Sequence, residues 1–205
     1  MNSSRRLFLQ KSAFVLGAAA LTSLSALTAS TPVLAAPDNN SNKELSMNAL
    51  VVYFSWSGNT ALVAEQIASL TGAGLHRIVP VNAYPVDYND CVEQAKGERQ
   101  AEFRPELANR VNNMDQYSVV FFGYPNWWSS LPMPCWTFLE SYNFAGKTIV
   151  PFCTHGGGGL ANGPREIRQL ASGATILEAY QTRNAHSGRM PRDVESWLKR
   201  IAILA

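Results

Sequence analysis

The stretch "ALVVYFSWSGNT", residues 49–60, decides the fold. Ala49 to Phe54 form a short, unbroken apolar run, the signature of a strand buried on both faces, as strands in parallel sheets are. A turn rich in hydroxyls follows at Ser55–Thr60, and Leu62, Val63, Gln66, Ile67 and Leu70 then recur at the three-and-four spacing of a helix. Asn59 or Thr60 is placed to cap that helix, and Thr71-Gly72-Ala73-Gly74 to end it. Strand, tight turn and helix in this order put outward-facing helix amides above a strand end, a place suited to an anion. The turn has no lysine, because Gly58 is followed by Asn59-Thr60 rather than Lys-Ser/Thr, and it has no G-x-G-x-x-G. A nucleoside triphosphate and a dinucleotide are both excluded on those grounds. Ser55, Ser57, Asn59 and Thr60 around Gly58 suffice for a single phosphate.

Outward from this unit the same alternation continues. Strand-like runs at 49–54, 75–79, 118–122, 148–152 and 174–180 alternate with helix-like segments at 59–71, 88–100, 134–141, 163–171 and 191–203. Five apolar strands separated by helices imply an α/β fold, a doubly wound parallel sheet with helices on both faces. No internal repeat, charge block or second domain interrupts residues 48–205.

The first 47 residues read differently. Arg5, Arg6 and Lys11 precede a stretch of small and apolar residues from Ala13 to Ala29, and Val33-Leu34-Ala35 resembles a signal-peptidase site. The reading is a twin-arginine-type signal peptide over 1–35, cleaved after Ala35, and a flexible polar leader over 36–47. Thr22, Ser23, Ser25 and Thr28 make the apolar stretch a poor permanent membrane span. Removing residues 1–35 takes away three cations and no acid, turning a formal charge of +2 into −1. No basic stripe remains to suggest nucleic acid. Cys91, Cys135 and Cys153 are odd in number and show no C-x-x-C spacing, so neither a disulfide framework nor a zinc site is expected.

In an open α/β sheet, ligands bind beyond the carboxyl ends of the strands, so two further loops matter. "GYPNWWSSLP", 123–132, places Tyr124, Trp127 and Trp128 together after a buried strand, with at least one expected to offer a flat face to a planar ring. "CTHGGGGLANG", 153–163, strips side chains away so that backbone amides can approach a ligand closely. Its His-Gly-Gly-Gly run does not signal an esterase, because the chain has no G-x-S-x-G. Cys153 and His155 stand two apart, pointing the same way along an extended segment without needing to meet. A phosphate turn, an aromatic wall and a glycine loop at three strand ends call for a ligand with one terminal phosphate and a flat polar ring system.

"LVVYFSWSGNT", "GYPNWWSSLPMP" and "FLESYNFAGKTIVPFCTHGGGG", in that order, resemble the flavodoxin-like family, in its short branch with a G-Y-P-x-W-W loop. The likeness runs from about residue 48 to the end of the chain. It implies a five-stranded parallel sheet in order 2-1-3-4-5 with flavin mononucleotide (FMN) at the carboxyl edge. Ser55, Trp56, Ser57, Gly58, Asn59 and Thr60 would then hold the phosphate. Pro125, Asn126, Trp127 and Trp128 would flank the isoalloxazine, and Thr154, His155, Gly156 and Gly157 would meet its polar edge. No catalytic side chain and no metal is called for, since the flavin would carry the chemistry. Loops 123–134 and 153–164 contain no acid, unlike the strongly acidic members of the family, so a less negative reduction potential is expected.

The reading is therefore an exported electron-transfer flavoprotein, served by a redox partner protein or a small-molecule acceptor. Its alternative is an NAD(P)H-dependent quinone or flavin reductase. A third is a module of the same fold that no longer binds flavin.

Overall fold

The computed structural model describes residues 48–205; the signal-peptide and leader readings lie outside the described residues. The sheet is built from β1 (Ala49–Tyr53), β2 (Gly74–Arg77), β3 (Val119–Pro125), β4 (Thr148–Thr154), β5 (Thr175–Ile176) and β6 (Tyr180–Thr182). Its order is β2-β1-β3-β4-β5, with β6 also against β4, and every pairing is parallel. The helices are α1 (Asn59–Thr71), α2 (Tyr88–Gln100), α3 (Met133–Glu140), α4 (Gly163–Leu170) and α5 (Met190–Arg200). The doubly wound order 2-1-3-4-5 expected from the sequence is present.

Side-chain alternation along β1 explains the unbroken apolar run. Leu50, Val52 and Phe54 enter one core layer with Cys91 and Ala95 of α2, Phe138 and Leu139 of α3 and Ile167 of α4. Ala49, Val51 and Tyr53 enter the other, with Val63, Ala64 and Ile67 of α1 and Val194, Trp197 and Leu198 of α5. Both faces are covered, so no position in β1 can be polar.

The helix ends follow local chemistry. Gly72 takes the left-handed conformation (φ 68°) that closes α1. Asp87 accepts from the amides of Asn89 (2.8 Å) and Asp90 (3.1 Å) to open α2. At the edge beyond β2, Val81 donates to Glu106 and Ala108 donates to Val79, so residues 106–108 shield the chain from edge-to-edge pairing.

The fifth strand departs from the single run expected over 174–180. It divides into β5 and β6, and one extra residue separates partners at Phe152↔Tyr180 compared with Thr148↔Thr175. The cause is Pro151 in the middle of β4. Lys147 and Ile149 turn their carbonyls toward the last strand, accepting from Thr175 (2.9 Å) and Leu177 (3.0 Å), so Pro151 faces the same way. Proline has no N–H to donate, and the ladder breaks and slips opposite it.

Candidate functional site

The turn after β1 meets the start of α1 with its donors uncommitted. Gly58 is the N-cap at φ 90°, no side chain caps the helix, and the first turn holds no acidic residue. Neither Asn59 nor Thr60 caps α1 as expected. Asn59 donates to the Ser57 hydroxyl (3.1 Å), and Thr60 shares a 2.8 Å hydroxyl–hydroxyl bond with Thr154. That buried pair fastens the first loop to the third. The Ser55 hydroxyl is buried with no hydrogen-bond partner. An unmatched buried hydroxyl costs about 1–3 kcal/mol, and beside an uncapped, positively polarised helix start it marks a place for an anion. Trp56 points the other way, donating from Nε1 to the Pro85 carbonyl (2.9 Å).

The second loop is held by its neighbours. Asn126 donates from its backbone to Thr154 (2.8 Å) and from Nδ2 to Gly159 (2.8 Å), tying it to the third loop. Trp127, half-buried, stands edge-on to Phe54 (5.4 Å between centroids) and Tyr84 (5.1 Å). Trp127 and Ser130 exchange backbone hydrogen bonds of 3.1 and 2.9 Å, closing a two-residue hairpin with Trp128 (φ 52°) and Ser129 (φ 58°) both left-handed. This turn normally takes Asn-Gly. Here it lifts Trp128 to the surface, 51 % exposed, where its Nε1 donates to Val92 of α2 (3.2 Å) and Lys96 stands over its ring. Tyr124 does not join this wall. It is fully buried under the start of α4, its hydroxyl donating to Leu160 (3.4 Å), because side chains alternate along β3 and this one points into the core.

The glycine loop is packed rather than loose. A Cβ at Gly158 would meet Asn126 Nδ2 at 3.0 Å, and one at Gly159 would meet Gln181 Oε1 at 3.0 Å. Gly157 donates its amide to His155 Nδ1 (3.1 Å), so the neutral ring carries its proton on Nε2. Burial, and then the Arg183 charge, hold the His155 pKa below its ordinary value. Cys153 and His155 form no nucleophile pair. The Cys153 thiol is buried and pushed up to about 12 by desolvation, and His155 Nδ1 is occupied by Gly157.

Four residues behind the aromatic loop, Glu166, Arg99, Tyr84 and Glu98, escaped the sequence reading. Glu166 of α4, buried, accepts from the Ser130 hydroxyl (3.0 and 2.9 Å), the Leu131 amide (2.9 Å) and Arg99 (3.2 Å). Tyr84 donates its hydroxyl to Glu98 while its ring supports Trp127. Together they anchor the hairpin to α2 and α4. Among the described residues no cluster of His, Cys, Asp and Glu could hold a metal.

The sequence profile of the flavodoxin family matches residues 48–201. The chain belongs to the flavodoxin family. A protein of Bacteroides eggerthii assigned as a flavoprotein is 31 % identical, covering 76 % of this chain and 98 % of its own, with a TM-score of 0.67. A similarly assigned protein of Bacteroides uniformis is 30 % identical over 74 % and 97 %, with a TM-score of 0.66. A flavoprotein of Lactobacillus acidophilus, solved in complex with FMN, shares the fold at 20 % identity over 75 % and 97 %, with a TM-score of 0.59. A comparison with curated protein sequences returns no match. In this member of the flavodoxin family, the three loops converge at the carboxyl edge of β1, β3 and β4, with the first joined to the third by Thr60–Thr154 and the third to the second by Asn126.

Proposed function

We propose that this flavodoxin-family chain binds FMN and passes electrons through it. The observation that carries the reading is the uncapped start of α1 beside the unpartnered, buried Ser55 hydroxyl, a site built for one phosphate. Ser55, Ser57, Gly58, Asn59 and Thr60 would hold that phosphate, with Trp56 bracing the turn against Pro85. Pro125, Asn126, Trp127 and Trp128 would flank the ring, and His155, Gly156 and Gly157 would meet its polar edge. Thr154 would act through its hydroxyl bond to Thr60. The bound flavin supplies one- and two-electron chemistry. The chain holds it, places no acidic residue within loops 123–134 and 153–164, and presents Nε2–H of His155 as a donor.

The test is the visible spectrum of the purified protein, alone and after incubation with FMN. A flavin spectrum supports the reading, and a colourless protein that takes up no FMN refutes it. Ser57→Asp places a carboxylate in the turn and is expected to weaken FMN binding about 100-fold or more.

A reductase of small molecules is the second reading, favoured by a cavity of about 280 Å³ beside the aromatic loop, lined by Tyr88, Val92, Ala95, Asn126, Trp127 and Trp128 among others. Rapid bleaching of the flavin on mixing with NADPH would select it over the carrier. The paired arginines and apolar stretch near the start of the chain support export, which leans toward the carrier because reduced nicotinamides are expected mainly in the cytoplasm. Cell fractionation tests the export. Among the described residues no helix is long and apolar enough to cross a membrane.

A further inference from the structure

The connection between β2 and α2 runs ten residues, 78–87, where about two to six is usual in α/β units. Binding residues are found disproportionately on such connecting segments. This one roofs a cavity of about 550 Å³, within the range of small-molecule sites, roughly 300–1,000 Å³. Its walls are Phe54, Ile78, Val79, Pro80, Ala83, Tyr84 and Val86, with the edge of Trp56. Ser55 and Ser57 also line it, but no residue of 125–128 or 154–157 does. The cavity therefore lies on the β2 side of the phosphate turn, away from the aromatic and glycine loops.

Two features suit it to a ligand of definite chemistry. First, exposed apolar side chains stand in its lining. Val79 and Val86 both line it and are exposed, Val86 by 94 %. Exposed apolar side chains on the loop over a cavity mark a binding surface, where scattered ones would not. Second, Arg77 is the single charged residue in the lining. One of its nitrogens donates to the Ser55 carbonyl (3.0 Å), which fixes the guanidinium in place. It forms no ion pair among the described residues, and no carboxylate lines the cavity. A fixed guanidinium at the rim of an apolar cleft recognises a carboxylate or sulfonate on an apolar body.

We propose that this cavity is a second ligand site, sharing a wall with the phosphate turn on its β2 side, and takes an apolar organic anion of ring size with its charged group on Arg77. Binding there does not depend on the cofactor assignment. If FMN occupies the turn, the ligand lies beside its phosphate, on the side away from the loops that would hold the ring.

The probe is 2-naphthoate, titrated calorimetrically into the full chain before and after loading with FMN, with the neutral 2-naphthamide as comparator. The expected result is saturable one-to-one binding of naphthoate in both forms, at least ten-fold tighter than the amide. Arg77→Gln should bring naphthoate down to the level of the amide and leave the amide unchanged. Ala83→Trp fills the cavity from its β2–α2 wall and keeps the Arg77 charge, and should abolish binding of both. Absent or non-saturable binding, equal affinity for acid and amide, or binding that survives Ala83→Trp would overturn the proposal. Competition between naphthoate and FMN would overturn it too, by making the cavity part of the cofactor site. A protein that takes up no FMN but binds naphthoate as described refutes the cofactor reading alone.

Discussion

Trp128 and Ser129 hold left-handed backbone angles that glycine or asparagine would adopt more readily. For an L-residue this conformation costs roughly 1–2 kcal/mol, and strain of this kind gathers at working sites. Trp128 gains a hydrogen bond to Val92 and a cation above its ring, whereas the exposed Ser129 gains nothing through its side chain. Ser129→Gly is therefore expected to stabilise the protein by about 0.5–1 kcal/mol, after allowing for glycine's greater freedom in the unfolded chain. A urea midpoint that fails to rise would show that the turn is unstrained. Glu166 gives the opposite case. Its carboxylate meets Arg99, the Ser130 hydroxyl and the Leu131 amide in a buried setting. Glu166→Ala leaves all three without their partner and should cost about 3–5 kcal/mol, with the hairpin carrying Trp127 and Trp128 loosened. Glu166→Gln keeps the shape and should cost clearly less in the same urea titration. Neither residue announced itself in the sequence. An acid on a helix normally faces water, and only the packing of α4 against the 128–132 loop turns Glu166 inward. Lys147 hid for the same reason: it is buried at the start of β4, its ammonium donating to the carbonyls of Met114 (3.0 Å) and Tyr117 (2.6 Å).

β3 and β4 form the centre of the sheet, and their register sets where the loops emerge. Gly123 pairs with Phe152, and a Cβ at Gly123 would stand inside the Phe152 ring. Gly123→Ala should therefore destabilise by about 1–3 kcal/mol through overpacking. Adding Phe152→Leu frees space on the neighbouring strand, so the double variant should be more stable in thermal unfolding than the sum of the two single effects. Strict additivity would mean that the two side chains do not compete. Strands such as β1 and β3 were legible because burial on both faces demands unbroken apolar runs, and α1 because its three-and-four apolar spacing runs up to the glycine stop at Gly72. The division of the last strand was harder to read. Its cause, Pro151, stands some 25 residues earlier in the chain, and a missing donor shows its effect only once the neighbouring strand is known. The three ligand loops were legible as turn chemistry, but their cross-ties through Thr60–Thr154 and Asn126–Gly159 depend on strand order. The β2–α2 connection carried no motif, and its cavity emerges only when Tyr84 folds under Trp127.

Across the whole molecule, acid sensitivity is expected to come from histidines held neutral by the fold. Burial lowers the pKa of His76, whose Nε2 is buried without a partner and whose ring lies 5.7 Å from Phe138. His155 is lowered by burial and by Arg183. The sign follows from proton counting. Well above the ordinary histidine pKa of about 6.5, folded and unfolded chains both carry neutral rings, and the full stability is present. As the pH falls through that value the unfolded chain takes up protons first, while His76 and His155 stay neutral in the fold. Stability therefore declines on acidification and stops declining only once the pH has passed below the folded pKa values. Most carboxylates titrate at lower pH, so the interval from pH 7.5 to 5.5 isolates the effect. Urea midpoints across it should fall with pH in the parent protein. His76→Phe removes the group and keeps an aromatic ring against Phe138, so its midpoint should vary less over the same interval. His155→Asn should remove a further part of the slope. Equal slopes in all three proteins would assign the acid response to other groups and sink this account.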